Sequence, residues 1–341
     1  MAGRLGPVAT RLMQALPVIA GVVVVSFLLT RALPGDPAVY FAGVAADTQS
    51  IAEVRAELGL DQPLPVQFLY YLGDLAQGDL GRSLSTGQPV LADLAQRLPA
   101  SLELTLMALL LSCGIAVPLG VLAATRPGSW IDHLCRVLVT AGVSLPTFFT
   151  GIVMIYVFYY LTGWAPSPLG RLDFIYLEPP RVTGFLLIDT LLIGDAETFW
   201  AALRQLVLPA ITLALFTLAP IARMTRAAML QALSSDYIRT ARAAGLTWRK
   251  VLFGYALRNA MLPVVTTLGM VFSFMLGSNV LVEKVFAWPG IGSYAVEALV
   301  ASDYAAVQGF VLAMALLFVA LNLAIDLAYT VIDPRIGFEA R

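Results

Sequence analysis

Apolar residues fall into six long runs along this 341-residue chain, with polar segments between them. An α-helix rises about 1.5 Å per residue and the hydrocarbon core of a bilayer is about 30 Å thick, so a crossing needs roughly 20 apolar residues. Only 13% of the residues are charged, against about a quarter in soluble domains. The pattern therefore predicts an all-α integral membrane protein with six transmembrane helices, near residues 12–31, 99–124, 135–162, 206–229, 261–282 and 307–331.

Charged residues are divided unevenly between the two predicted sides of the membrane. An even number of crossings places both termini on one side, together with residues 125–136 and 223–258. That side carries 13 Lys or Arg against four acids, whereas the other side carries eight against 17. Because Lys and Arg accumulate in cytoplasmic loops, both termini are predicted to be cytoplasmic. The acidic outer face is compatible with docking of a soluble partner.

The predicted crossings divide the chain into a membrane core and two outer insertions. The apolar stretch of the second insertion is about 10 residues long, which is too short to cross a bilayer, so it is predicted to be a folded flap or a re-entrant segment. The organisation is an N-terminal tail with the first helix (1–31), an extracytoplasmic insertion (32–98), a transmembrane core (99–332) containing a second extracytoplasmic insertion (164–205) and a cytoplasmic loop (230–258), and a cytoplasmic tail (333–341).

Several catalytic motifs are absent from the sequence. Lys250 and Lys284 are the two lysines, and neither follows a glycine, so a phosphate-binding P-loop is excluded. His133 is the one histidine, which excludes zinc motifs of the HExxH type. No Gly-x-Ser-x-Gly motif is present for a serine hydrolase. We therefore expect this chain to have no catalytic residues, no metal and no cofactor of its own.

The predicted cytoplasmic loop contains the stretch DYIRTARAAGLT, which has the signals of a short, well-bounded helix. Asp236 is predicted to be its N-cap and Gly245 its C-terminal stop. Thr247 is then placed to cap a second helix that runs toward the fifth crossing. The order of cap, compact helix and stop predicts a rigid element of about two turns.

The side chains of this short helix allow two interpretations. Tyr237, Ala241 and Ala244 share one face, and Arg239 and Arg242 lie on another. One interpretation is a basic loop that follows the positive-inside rule and touches anionic lipid. The capping signals favour the other, a docking element for a cytoplasmic partner.

The same stretch, followed by ALRNAMLPVVT, resembles the cytoplasmic loop of binding-protein-dependent ABC importer permeases, in the branch for dipeptides, oligopeptides or nickel. In the wider superfamily this loop reads Glu-Ala-Ala, three residues, Gly, nine residues, Ile-x-Leu-Pro. Arg239, Thr240 and Ala241 stand here at the Glu-Ala-Ala positions. Gly245 matches, whereas the proline comes later, at Pro263. That departure is itself similar to the peptide branch.

Further segments extend the resemblance along nearly the whole chain. They are LLTRALPGDP, ELGLDQPLPVQFLYYLGDLAQGDLGRS, VEKVFAWPGIG and DYAAVQGFVL. The second insertion, with TGFLLIDTLLIG, is most similar to the dipeptide permease member. The resemblance therefore implies the transmembrane domain of a type I ABC importer in a bacterial inner membrane.

The resemblance also implies partners. They would be a second permease chain, two ATPase subunits that hold ATP and Mg²⁺, an extracytoplasmic solute-binding protein and the surrounding lipid bilayer, with no nucleic acid. The substrate would be a short peptide. In this branch selectivity resides largely in the binding protein, so dipeptide, oligopeptide, glutathione, nickel chelate and haem remain open from this sequence.

The segment from Asp236 to Thr247 would then be a coupling helix, seated in a groove of one ATPase. Closure of the ATPase pair would move the membrane helices as near-rigid bodies. The residues implied in coupling are Arg239, Thr240, Ala241, Arg242, Ala244, Gly245 and Leu246.

Polar residues inside the predicted membrane helices are candidate pathway positions, because they are costly in a bilayer. These candidates are Ser273, Ser278, Asn279, Asn322 and Asp326. The alternative is packing, since Ser, Asn and single acids also bond between helices. Glu283 and Lys284 lie near the predicted outer interface, beside Trp288, and are candidate contacts for the binding protein.

Two other classes of protein remain possible on the residues alone. An ion-coupled secondary transporter or channel would need an ion site, for which Asp326 is the one acid inside a predicted crossing. A membrane sensor or scaffold would explain the outer insertions without the polar intramembrane positions. Dependence on ATP separates the importer from both.

Overall fold

The computed structural model describes residues 5–32, 37–42, 46–57 and 59–332. Within these ranges the regular structure is helical, apart from one isolated bridge between Arg82 and Pro89. The predicted tail 333–341 and residues 33–36 of the LLTRALPGDP segment lie outside them. The helices are α1 Leu5–Ala32, α2 Pro37–Ala42, α3 Thr48–Glu57, α4 Leu64–Ala76, α5 Val90–Thr125, α6 Trp130–Ser144, α7 Thr147–Met154, α8 Leu186–Ile193, α9 Ala196–Leu233, α10 Asp236–Ala243, α11 Leu257–Val285, α12 Ile291–Val300 and α13 Tyr304–Ile332.

Two further segments are π-helical. Ile155–Leu161 continues α7, and Lys250–Ala256 leads into α11. Among the described residues, four helical stretches are long and apolar enough to cross a membrane: Val90–Thr125, Ala196–Leu233, Lys250–Val285 and Tyr304–Ile325. They coincide with the second, fourth, fifth and sixth predicted crossings, and α1 covers the first. The all-α membrane character predicted from the sequence is confirmed.

The third predicted crossing, 135–162, is not one continuous helix. Helix α6 ends at Ser144, and Leu145 is extended, with φ −114° and ψ 141°. Pro146 explains the break, because a proline ring disfavours helical backbone at the residue before it. The chain resumes as α7 and the π-helical segment Ile155–Leu161. The prediction of an unbroken third helix is therefore wrong at this proline.

Helix α9 begins about three turns earlier than the predicted fourth crossing. Asp195 is its N-cap, since the Asp195 carboxylate accepts a hydrogen bond from the Thr198 N–H at 3.0 Å. The helix continues to Leu233 through Pro209 and Pro220. The last part of the predicted second insertion is thus the start of α9.

Contacts divide the chain into two compact units, one of which comprises residues 100–289 and 320–341. Helix α9 is the centre of this unit: 72% of its most apolar window is buried, against 44% for Lys250–Val285. Helices α9 and α11 pack extensively against each other. Leu213 of α9 and Met275 of α11 are fully buried in its core.

The other unit comprises residues 1–99 and 290–319. Val90 and Leu94 of α5 form its core with Ile291, Tyr294 and Ala298 of α12. Burial raises the pKa of the Tyr294 hydroxyl. In the same unit the Ser83 hydroxyl donates to the Asp303 carboxylate at 2.6 Å, and the Ser85 N–H donates to the same oxygen at 3.1 Å. These bonds fix the loop before α5 to the start of α13.

Helices α5 and α9 approach closely at Gly120. A Cβ atom at this position would lie 2.7 Å from Thr225 Cβ and 2.9 Å from the Ala222 carbonyl oxygen. Both distances are shorter than van der Waals contact, so a glycine is required here. Gly114, also on α5, would place a Cβ in open space.

We predict that Gly120→Ala lowers the stability of the protein, whereas Gly114→Ala does not. Overpacking of a close contact costs about 1–3 kcal/mol. Alanine at an open helical position is instead favoured over glycine by up to about 1 kcal/mol. Thermal unfolding in detergent, followed by size-exclusion chromatography, checks the pair. Equal midpoints for the two variants would contradict the close packing of α5 on α9.

Candidate functional site

The short cytoplasmic helix predicted from the sequence is present as α10, Asp236–Ala243. Its N-cap is Ser235, with φ −76° and ψ 156°, so the prediction of Asp236 as N-cap is wrong by one residue. Asp236 lies instead in the first turn, where a carboxylate interacts favourably with the helix dipole. The start of the helix is otherwise where the sequence places it.

The C-terminus of α10 is closed by a Schellman motif. The Leu246 N–H donates to the Ala241 carbonyl at 3.3 Å, and the Gly245 N–H donates to the Arg242 carbonyl at 3.0 Å. Gly245 has φ +76°, a conformation that costs glycine little. Its predicted role as the stop is confirmed. The Thr247 carbonyl accepts from the Val251 N–H at 3.0 Å, as expected of the residue before the next helix.

Helix α10 is anchored to the membrane helices by Ile238 and Ala241, which are 1% and 7% exposed. They pack in a cluster with Met229 of α9 and with Val251 and Leu252 of the π-helical segment. Of the three residues predicted to share one face, Ala241 is buried in this cluster, whereas Tyr237 and Ala244 are exposed. The sequence signal for the buried face is the spacing of Ile238 and Ala241, because residues three apart are neighbours on a helix.

The residues predicted to couple to an ATPase divide into two groups. Ala241 and Leu246 pack inward, against the cluster that holds α10. The others are exposed: Arg239, Thr240, Arg242, Ala244 and Gly245. The Arg239 guanidinium lies 3.3 Å from the Asp236 carboxylate, and Arg242 lies over the Trp248 ring, 4.4 Å from its centre. Helix α10 thus presents an exposed basic surface on an anchored base.

A buried polar cluster links α5 to α11 near the predicted outer ends of these helices. The Ser101 hydroxyl donates to Glu283 Oε1 at 2.5 Å, and Asn279 Nδ2 donates to the same oxygen at 3.1 Å. Asn279 Nδ2 also lies 3.2 Å from Thr105 Oγ1. Asn279 and Glu283 are each 1% exposed. Two predicted site residues are therefore brought together, one from the pathway set and one from the binding-protein set.

Glu283 does not fit its predicted role as a surface contact for a binding protein, because it is buried and hydrogen-bonded inside the unit. Spacing along the sequence placed it at the outer interface but could not show that its side chain turns toward α5. Its neighbour Lys284 is exposed. Of the pair, Lys284 is therefore the residue at the surface.

The remaining pathway candidates do not join this cluster. Ser273 is half-buried on α11, and the half-buried Ser278 donates to the Met275 carbonyl of its own helix at 3.3 Å. Asn322 is exposed on α13. Asp326 belongs to the same helix, but its side chain lies outside the described part of the chain.

The second insertion is tied to the outer part of α5 by an ion pair. Arg171 Nη2 lies 2.5 Å from Glu103 Oε2 and also donates to the Gly184 carbonyl at 3.0 Å. Glu103 Oε1 accepts from the Leu187 N–H of α8 at 2.8 Å. The sequence shows that Glu103 is acidic, but it does not show that Glu103 pairs with Arg171, because the two residues are 68 positions apart. The insertion is a folded segment with its own helix.

A second ion-pair cluster lies between α6 and α9, on the side predicted to be cytoplasmic. The fully buried Asp132 carboxylate accepts from Arg226 Nε at 2.6 Å and from Arg136 Nη2 at 2.7 Å. It also accepts from the Gly128 N–H at 3.0 Å. Hydrogen bonds from Arg226, Arg136 and Gly128 hold the pKa of Asp132 well below its ordinary value. Sequence reasoning missed this cluster, because Asp132 and Arg226 are 94 residues apart.

These features define a multi-helix membrane protein with a short basic helix, α10, that packs against its longer helices. Family models extend this description. Residues 116–338 match the family described as binding-protein-dependent transport system inner membrane component. Residues 7–105 match the model for the N-terminal part of such membrane components.

Individual relatives agree with the family models. The chain is 48% identical to the “Probable D,D-dipeptide transport system permease protein DdpB” of Escherichia coli (strain K12), over 94% of each chain. It is 44% identical to the “Di/tripeptide transport system permease protein DppB” of Pseudomonas aeruginosa (strain UCBPP-PA14), over 97% of this chain and 98% of the relative. It is 41% identical to the “Dipeptide transport system permease protein DppB” of Escherichia coli (strain K12), over 96% and 97%.

The chain belongs to the family of inner membrane components of binding-protein-dependent transport systems. It is a multi-pass inner membrane protein and a permease component, and such components are not themselves enzymes. Membership decides between the classes left open by the sequence, in favour of the importer and against the ion-coupled transporter and the sensor.

We predict that Ile238→Ala loosens α10, whereas Tyr237→Ala does not. Removal of a buried isoleucine side chain costs about 2–5 kcal/mol, and the neighbouring Tyr237 is exposed. Trypsin digestion of open membrane vesicles checks the pair, because cleavage after Arg239 and Arg242 requires α10 to leave its cluster. Equal cleavage rates in the two variants would show that Ile238 does not anchor the helix.

We also predict that Asp132→Asn lowers the melting temperature, because removing the carboxylate leaves Arg226 and Arg136 without their shared partner. The folded-state pKa lies below the ordinary value of 3.8, so this stabilisation is lost only as the pH falls through that lower pKa. The difference in melting temperature between wild type and variant should be the same at about pH 5.5 and 7.5. A difference that shrinks at the lower pH contradicts the low pKa, and the exposed Asp236→Asn is the matched control.

Proposed function

We propose that this chain is a permease subunit of an ATP-driven importer of dipeptides or similar short peptides. It forms half of the translocation pathway and couples that pathway to cytoplasmic ATPase subunits. The observation that carries the proposal is α10, a capped helix with a buried apolar face and an exposed basic face. Peptide as the substrate is supported by the names of relatives that match along nearly their whole length.

The proposed complex contains a second permease chain, two ATPase subunits and an extracytoplasmic solute-binding protein. ATP and Mg²⁺ belong to the ATPase subunits, since this sequence lacks a P-loop. The family description supports a binding protein as partner. The number and identity of the other chains are part of the proposal.

The proposed topology has six crossings with cytoplasmic termini. Its support is the charge asymmetry between the two sides. The break at Leu145 is compatible with a third crossing, because α6, α7 and Ile155–Leu161 together still provide a path long enough for a bilayer. Non-helical backbone is tolerated at membrane depth where protein or water covers its polar groups.

Coupling in this proposal is mechanical. The buried side of α10 contacts α9 and the segment leading into α11, and helices α9 and α11 pack extensively against each other. A displacement of α10 by an ATPase would therefore be passed to two crossings at once. Packed helices respond to such a push by moving as rigid bodies.

The burial of each side chain reduces the set of candidate pathway residues. Asn279 bonds to neighbours on α5, which favours a role in helix packing. Asn322, with its exposed side chain, and the half-buried Ser273 and Ser278 remain the proposed contacts for a peptide. Asp326 stays in the proposed set from the sequence alone.

We predict that Arg239→Glu combined with Arg242→Glu reduces peptide uptake at least about tenfold. The reversal places like charges where the wild type is complementary to its partner, which costs several kcal/mol. Both side chains are exposed, so the variant should still insert in the membrane. Uptake of a labelled dipeptide in cells that lack their own permease measures the loss, with immunoblotting of the membrane fraction to compare protein amounts.

The matched control is Arg126→Glu, which changes an exposed arginine in the other predicted cytoplasmic loop. Its uptake should stay close to that of the wild type. Uptake at the wild-type rate in the double variant would contradict the assignment of α10 as the coupling helix. An equal loss of uptake in the control would contradict it as well.

A further inference from the structure

A cleft of about 580 Å³ lies between α6 and α9 and is not used by the proposed transport cycle. Its volume falls within the range of about 300–1,000 Å³ that is usual for small-molecule sites. Arginines and apolar side chains line it together. The lining residues that matter here are Arg136, Val139, Arg223, Arg226 and Ala227.

The cleft has an excess of positive charge. Asp132 pairs with Arg136 and Arg226 and so neutralises one of the three guanidinium charges. Arg223 is exposed, and no acidic partner of it is found in the described part of the chain. Arg226 uses two of its N–H groups on Asp132, and a guanidinium has five. Donors therefore remain for an anion, and the buried carboxylate holds two of the arginines in place.

The cleft itself is partly apolar, because Val139 of α6 and Ala227 of α9 line it together with the arginines. Trp130, Leu134 and Val137 lie at i, i+4 and i+7 on α6 and form one stripe, on the face of this helix that is turned away from the cleft. Trp130 is 72% exposed and Val137 is 62% exposed. An exposed tryptophan in the first turn of a membrane helix is typical of the membrane–water interface. A cleft lined by both arginines and apolar side chains, at the end of a helix that lies at the membrane–water interface, matches a lipid with an apolar tail and an anionic headgroup.

We propose that this cleft binds the phosphate group of an anionic phospholipid from the cytoplasmic leaflet. Basic pockets between membrane helices on the cytoplasmic side are suited to such headgroups. The apolar lining by Val139 and Ala227 favours a lipid over a free anion, because a free phosphate gains nothing from apolar side chains. The inference rests on the six-crossing topology proposed above, which puts the cleft at the cytoplasmic surface of the membrane.

Native mass spectrometry of the purified transporter tests the proposal, with phosphatidylglycerol and phosphatidylcholine of matched acyl chains as probes. The wild type should retain phosphatidylglycerol in preference to phosphatidylcholine. Arg223→Gln should weaken that retention about fivefold, the effect of one basic residue near an anionic surface. Arg223 is chosen because its change leaves the Asp132 pairs in place. Arg126→Gln, outside the cleft, should have no effect, and equal retention in the two variants would overturn the proposal.

Two further experiments distinguish a lipid from the other possible occupants of the cleft, a free anion and a protein partner. Inorganic phosphate at millimolar concentration should not displace the bound phosphatidylglycerol, and displacement would assign the cleft to a free anion. A photoreactive phosphatidylglycerol should crosslink the unchanged protein within residues 130–140 or 223–227, whereas crosslinks from these residues to an ATPase subunit alone would replace the lipid by a protein partner. These measurements detect bound lipid and not transport. If they fail, the lipid proposal is wrong, whereas the assignment as an importer is tested separately by the uptake experiment.

Discussion

The burial of Ile238 and Ala241 against α9 and the segment leading into α11 is the contact on which the proposed mechanism depends. A helix of two turns is too short to be stable alone in water, and its stability comes from packing. Because the apolar side faces the protein's own core, the arginines are left on the outside. The same contact therefore stabilises the helix, selects the surface offered to a partner and connects that surface to the helices that would move.

Buried polar contacts stabilise the unit formed by residues 100–289 and 320–341 on both predicted sides of the membrane. On the predicted cytoplasmic side, Asp132 joins α6 to α9. Toward the outer side, Glu283 joins α11 to α5, and Glu103 joins α5 to the second insertion. Each carboxylate is buried, so loss of one partner would leave an uncompensated charge or donor. Such contacts have few alternative arrangements, which suits helices that move as bodies and return to the same packing.

The elements predicted correctly from the sequence depend on local information. Apolar run length predicts the long helices, and glycine at a helix end predicts the stop at Gly245. Pro146 also carried a local signal, and the break there was missed because the apolar run continues past it. Contacts between distant residues were not readable: Asp132 with Arg226 and Glu283 with Ser101 require knowledge of which helices pack together. The burial of Ile238 was missed because Tyr237, Ala241 and Ala244 also share one face of this short helix.

In the proposed mechanism this permease works only with ATPase subunits. The most direct test is to tag the chain, extract it gently from native membranes, and identify what co-purifies while ATP hydrolysis is measured with and without dipeptide and binding protein. The account predicts a second permease chain, one or two P-loop subunits, and hydrolysis that increases when peptide and binding protein are both present. Recovery of the chain alone, without ATPase activity, would contradict it.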